Sequence, residues 1–153
     1  MGQVRSYYAS AFARAHRSID PETLDEVTQA TEGFSYLLQL LGYYLLAYST
    51  EETAISKESL AEAKKSAYAD LDENVFRAML RPLSNADIAF LEAMAKDDGP
   101  TRTGELAKRL GVSQGHVQSY RRRLLNAGVI VTPRRGEVAF VIPRLAEYLR
   151  AQG

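Results

Sequence analysis

Arginine is the residue type through which this sequence could do chemistry. Arg102, Arg122, Arg123, Arg134 and Arg135 fall with Lys108 inside residues 99–144, where nine Lys/Arg stand against two Asp/Glu. Guanidinium groups at this density can grip phosphates or the edge of guanine. Covalent catalysis has far less to work with. Cysteine is absent, which excludes disulfides, thiolate metal sites and thiol nucleophiles together. His16 and His116 are the only histidines, too few for a histidine-built zinc site. His116, beside Gly115, reads as a surface or phosphate-contact residue rather than a catalytic base. No Ser/His/Asp grouping lies within plausible reach. Asp97-Asp98-Gly99-Pro100 reads as a turn rather than an acid–base pair, and Glu51-Glu52 as a solvated loop. Tyr36, Tyr43, Tyr44 and Tyr48 read as core and interface rather than a cofactor box. The chain itself is expected not to be an enzyme and to hold no metal.

The elements that must position these arginines follow from pattern and charge. The 153 residues suit one ordinary domain or two small ones, and 46 % apolar with 25 % charged residues is globular usage. Zero net charge hides an asymmetry. Residues 1–70 carry 6 Lys/Arg and 10 Asp/Glu, whereas residues 71–153 carry 13 and 9. A local basic excess is an electrostatic footprint for a polyanion even in a neutral chain. Met1 to Asp20 lacks the apolar run of a signal peptide, and no stretch approaches the roughly 20 apolar residues of a membrane span. The expected address is the cytoplasm, with no membrane partner.

The amino-terminal part reads as helices. Tyr7 to His16 places Tyr8, Phe12 and Ala15 on one stripe. Asp20 caps a second helix with Pro21 in its first position, carrying Leu24, Val27 and Ala30. Gly33 is the natural C′ residue. Phe34 to Tyr48 is apolar nearly all round, so it should be the centre of a small bundle or should face a partner; Gly42 suggests close helix packing. Ser56 caps Lys57 to about Asp70, where Leu60, Ala63, Ala67 and Leu71 line one face. Helix continues towards Arg81-Pro82, where proline ends it. The domain boundary falls between residues 66 and 84, giving domains 1–70 and 71–153.

From Ser84 the pattern changes. A capped helix runs to Lys96, with Ile88, Phe90, Leu91, Met94 and Ala95 inward. Thr103–Leu110 and Gln114–Ala127 are helices separated by Gly111-Val112-Ser113, Gly111 supplying a positive φ and Ser113 a cap. Val129–Val131 and Val138–Ile142 are β-type runs joined by Pro133-Arg134-Arg135-Gly136. Pro143–Arg150 closes the chain as a helix. That order predicts a mainly α protein: a small helical domain, then a winged helix-turn-helix with a two-stranded wing. On the second of the paired helices Val117, Tyr120 and Leu124 share one side. Gly115, Gln118, Ser119, Arg122 and Arg123 lie opposite, and Gln114 opens the helix. Gln118 and Arg122 could reach base edges. Arg134 and Arg135 suit phosphate or the minor groove, while Arg102 and Lys108 flank on the backbone.

Two stretches also resemble the C-terminal part of an actinobacterial-type AAA+/STAND-like ATP-binding protein. Ala30–Gly42 resembles its lid segment, and Leu83–Leu149, with Asp97-Asp98-Gly99-Pro100 and Ala127-Gly128-Val129-Ile130, its winged helix. The resemblance implies that Gly33, Phe34 and Ser35 match the family's Gly-x-Pro turn, which lies near the nucleotide base and couples nucleotide state to lid position. Ser35 replaces the proline. The chain has no Gly-x-x-x-x-Gly-Lys-Ser/Thr loop and no Walker-B strand. ATP and Mg²⁺ would therefore need a P-loop domain upstream, and the expectation is a piece of a larger bacterial ATPase.

The function expected is thus a non-catalytic module whose winged helix binds double-stranded DNA. Two alternatives stand beside it: a protein-interaction module docking the ATPase core or another partner, and a stand-alone transcriptional regulator in which residues 1–70 dimerise or sense a ligand.

Overall fold

The computed structural model describes residues 2–50 and 54–152; Glu51 and Glu52 lie outside them. The protein is mainly helical and divides into two compact units, Met1–Glu73 and Asn74–Gly153. Among the described residues no helix is long and apolar enough to cross a membrane.

The first unit comprises α1 (Gly2–Arg14), β1 (Ser18–Ile19), α2 (Pro21–Ala30), α3 (Ser35–Ala47), β2 (Ala54–Ile55) and α4 (Lys57–Leu71). Its caps are local chemistry. The Asp20 carboxylate accepts from the Thr23 N–H at 3.0 Å, and Ser56 Oγ accepts from the Ser59 N–H at 3.0 Å. Leu37, Leu41 and Leu45, each four residues on, form the buried face of α3 and meet Leu60, Ala63, Ala67 and Leu71 of α4 in the unit's core. Tyr8 and Phe12 stack at 5.3 Å between centroids. The Tyr8 hydroxyl donates to the Leu38 carbonyl at 2.6 Å, and burial pushes its pKa up. A Cβ on Gly42 would stand 3.4 Å from the Tyr8 ring, so glycine permits this close approach.

Three details depart from the sequence expectation. Helix α1 starts at Gly2 rather than Tyr7. The end of α2 puts Glu32, not Gly33, immediately after the cap residue Thr31, and both Glu32 and Gly33 adopt positive φ. Short strands β1 and β2 pair in parallel, Ser18 opposite Ala54 and Ile19 opposite Ile55. Two residues are too few to show alternation, so their pairing is set by partners distant in sequence.

Beyond α4 the chain forms a π-helical turn, Asp72–Phe76, and the short α5 (Arg77–Leu80), which stops ahead of Pro82. The second unit then runs α6 (Asn85–Met94), β3 (Thr101–Arg102), α7 (Thr103–Leu110), α8 (Gln114–Asn126), β4 (Ile130–Val131), β5 (Glu137–Phe140) and α9 (Leu145–Gln152). Its core gathers Phe76, Phe90, Leu91, Met94, Leu106, Val117, Leu124, Val138, Leu145 and Leu149. The sheet is antiparallel with order β3-β5-β4: Arg102 faces Glu137, Thr101 faces Val138, and Ile130 faces Phe140. It has three strands where the sequence reading expects two.

Candidate nucleic-acid interface

Helix α8 is seated by two anchors. At its start Ser113 Oγ accepts from the His116 N–H at 3.2 Å and meets His116 Nδ1 at 3.0 Å. Near its end Arg123 reaches back to Asp87 on α6, Nη2 to Oδ1 at 2.6 Å, with its guanidinium over the Tyr120 ring at 4.8 Å. Asp87 also accepts from the Ser84 N–H while Ser84 caps α6, a reciprocal capping box. Burial alone would raise the Asp87 pKa. The hydrogen bonds from Arg123 and Ser84 outweigh it and hold the carboxyl below its ordinary value.

Helix α7 is held similarly. Arg109 grips Asp97 through a fork, Nη1–Oδ2 at 3.0 Å and Nη2–Oδ1 at 2.9 Å, and Nη1 donates to the Ala93 carbonyl at 2.9 Å. Thr101 Oγ1 adds a bond to Asp97 at 2.8 Å. Arg109 first and Thr101 second hold the Asp97 carboxyl low. The Asp97-Asp98-Gly99-Pro100 stretch is the expected turn, with one carboxylate used structurally. Gly111, at φ 65°, ends α7 in the left-handed conformation and turns the chain into α8.

Sequence reading missed the part played by Thr101-Arg102. As β3 they bring Arg102 beside the β4–β5 loop. The Thr103 N–H donates to the Gly136 carbonyl at 3.0 Å, tying the start of α7 to that loop. Within the loop the Glu137 N–H donates to the Arg134 carbonyl at 3.1 Å, and Gly136 has φ 78°. The loop tip is therefore fixed both internally and from α7.

These contacts shape a cleft of about 680 Å³ lined by Arg102, Gly104, Glu105, Lys108, Gln114, Arg134, Arg135, Gly136 and Glu137. Five of the sequence-predicted contact residues thus meet in one concavity: Arg102, Lys108, Gln114, Arg134 and Arg135. Among the described residues, no acid lies within ion-pair distance of Arg102, Arg134 or Arg135. Lys108 approaches Glu105 at 3.8 Å, and both side chains are half or more in water, a loose pairing worth little.

Gly115, Gln118, Ser119 and Arg122 are exposed on the outward side of α8 and do not line the cleft. A Cβ on Gly115 would meet only Ser113 Oγ, at an ordinary 3.7 Å, so packing does not demand glycine there. Gln118 accepts from Arg121 Nη1 at 3.5 Å, while Arg121 Nη2 donates to Thr132 Oγ1 at 3.1 Å and ties α8 to the end of β4. Arg123 is committed to Asp87. Gly33, Phe34 and Ser35 form the α2–α3 turn in the first unit, held by the Phe34 N–H on the Thr31 carbonyl at 2.8 Å and the Gly33 N–H on Thr31 Oγ1 at 3.2 Å. Among the described residues there is no cluster of three or more His, Asp or Glu suited to a metal ion.

The family model described as Domain of unknown function (DUF8462) matches residues 73–149. The chain belongs to that family. The DUF8462 stretch contains every residue of the cleft and of α8. No curated protein and no solved structure matches the chain.

Proposed function

We propose that the DUF8462 stretch is a winged helix-turn-helix that binds double-stranded DNA, with α8 as recognition helix and the β4–β5 loop as wing. The order helix α6, strand β3, helix α7, tight turn, helix α8 and hairpin β4–β5 supports the motif. One observation carries the function: three arginines without an acid partner, from β3 and the loop tip, line a single cleft whose opposite wall carries Lys108 and the first residue of α8. The cleft sets four cations against two acids, Glu105 and Glu137, and neighbouring cations repel one another, so its excess of positive charge suits a polyanion. Arg102, Arg134, Arg135 and Lys108 contact phosphates. Gln118, Ser119 and Arg122 face base edges. The duplex contact needs only these groups, with no ATPase domain attached.

The test is a titration of the full chain against a labelled random-sequence duplex at several salt concentrations. The expected result is binding that weakens steeply as salt rises. Absent or salt-independent binding overturns the reading and favours protein docking by the same face.

A further inference from the structure

The outward side of α8 has two flanks, and the cleft occupies one of them. At about 100° per residue, Gln114 and His116 lie about 200° apart around the helix axis with Gly115 between them. Gln114 lines the cleft with the arginines of β3 and the loop. His116 is exposed on the other flank, with Tyr120 and Arg123 one and two turns on. A helix lying in a major groove has a phosphate backbone on either side. The cleft cations serve one backbone, and on the other flank the Arg123 guanidinium is committed to Asp87.

The His116 ring is held in place. Ser113 Oγ accepts from the His116 N–H at 3.2 Å and lies 3.0 Å from Nδ1. Its own proton goes to Nδ1, which uses both halves of the hydroxyl and leaves the ring proton on Nε2, away from Ser113. The ring also lies along that of Tyr120, at 24° and 6.4 Å between centroids, and Arg123 covers the Tyr120 ring. A donor fixed in advance loses little freedom on contact. The surrounding charge leaves the ring open to an anion. Its own helix adds Arg121, Arg122 and Arg123. Of the elements packed on α8, β4 has no charged residue. On α6, Asp87 is taken by Arg123 and Glu92 lines a groove beside α9. On α7, Arg109 is gripped by Asp97, and Glu105 approaches Lys108. Among the described residues no carboxylate lies within ion-pair distance of the His116 ring.

We propose that His116 Nε2 donates to a phosphate of the backbone opposite the one the cleft holds, and that the ring takes up a proton from solvent on contact, so that duplex binding strengthens as pH falls. The inference rests on the duplex-binding reading. In the protonated ring Nδ1–H donates to Ser113 Oγ, whose second lone pair is free for it, and the hydroxyl proton turns to water. Imidazole is the side chain that ordinarily gains charge between pH 8 and pH 5, and His16 is the only other one in the chain.

Titrating the full chain against a labelled random-sequence duplex at about pH 8 and about pH 6 tests it. In about 0.1 M salt the affinity should rise about fivefold to eightfold at the lower pH, and the salt slope should steepen by up to about 0.9, the share of one more neutralised phosphate. His116→Gln should abolish the rise, and His16→Gln should keep it. Nitrogen NMR of the free chain near pH 8 should find the His116 proton on Nε2. No binding at either pH overturns the duplex reading and this inference with it. Binding that ignores pH, a rise that survives His116→Gln, or a proton found on Nδ1 overturns this inference alone.

Discussion

Removing the three arginines that lack an acid partner in the cleft, as Arg102→Gln/Arg134→Gln/Arg135→Gln, should change how duplex affinity responds to salt. On the proposed reading four cations meet phosphate: these three and Lys108 in the same cleft. Each neutralised phosphate contributes about −0.9 to the slope of log affinity against log salt, so four predict a slope of about −3.6 and the triple variant about −0.9. Referred to 1 M salt, three lost contacts at 0.1 M amount to about 2.7 decades, or about 500-fold weaker binding, equivalent to about 3.7 kcal/mol. Fluorescence anisotropy with a labelled duplex between about 50 and 200 mM salt reads both quantities. The comparison variant is Arg123→Gln. Its cation is held by Asp87 on α6, so it should lower folding stability and leave the slope within experimental error. An unchanged slope in the triple variant refutes the reasoning. An equal fall in the Arg123 variant refutes it too, because paired and unpaired arginines would then be equivalent.

Acid should weaken the second unit in a defined direction. Asp87 and Asp97 have folded pKa values below their ordinary ones, so their stabilisation is complete above about pH 4 and is lost as pH falls through the folded values. Asp87→Asn should lower stability at neutral pH by about 1–2 kcal/mol, discounted because Arg123 is half in water. Urea unfolding at neutral and acidic pH checks both, and an unaltered acid sensitivity in the Asp87→Asn/Asp97→Asn double variant counts against the assignment. Gly111→Ala meets no atom within 4 Å but must hold φ at 65°, so strain alone should lower stability by about 1–2 kcal/mol; a neutral result would mean that the α7–α8 turn relaxes. Leu41→Ala, at a fully buried position of α3, should destabilise the first unit by about 2–5 kcal/mol in thermal unfolding. A loss below about 1 kcal/mol would place Leu41 outside the core.

What was legible in the sequence is what short-range chemistry decides. Asp20, Ser56, Ser84 and Ser113 each satisfy a backbone N–H three residues on, so their caps can be read locally. The stripe Leu60, Ala63, Ala67, Leu71 is buried as its spacing implies. The same locality explains the omissions. β3 is two residues long and exists because β5 lies alongside it. Of the site, the basic side chains were visible but not their division of labour. Arg123 finds Asp87 across 36 residues and Arg109 finds Asp97 across 12, and no spacing rule announces either. A buried carboxylate at the third position of a capped helix is the one faint hint, since such a group calls for a cation from elsewhere. Arg121 gave no sign of its bond to Thr132.

The sheet order β3-β5-β4 leaves the returning arm of the hairpin with a neighbour on each flank. Slippage of that arm by one position would have to break two ladders at once and turn Val138 out of the interior. The apex is accordingly a stiff prong rather than a supple finger. On the proposed reading a stiff prong would meet the duplex with the ordering entropy already spent, and would tolerate poorly any groove whose width differs from the gap between prong and helix.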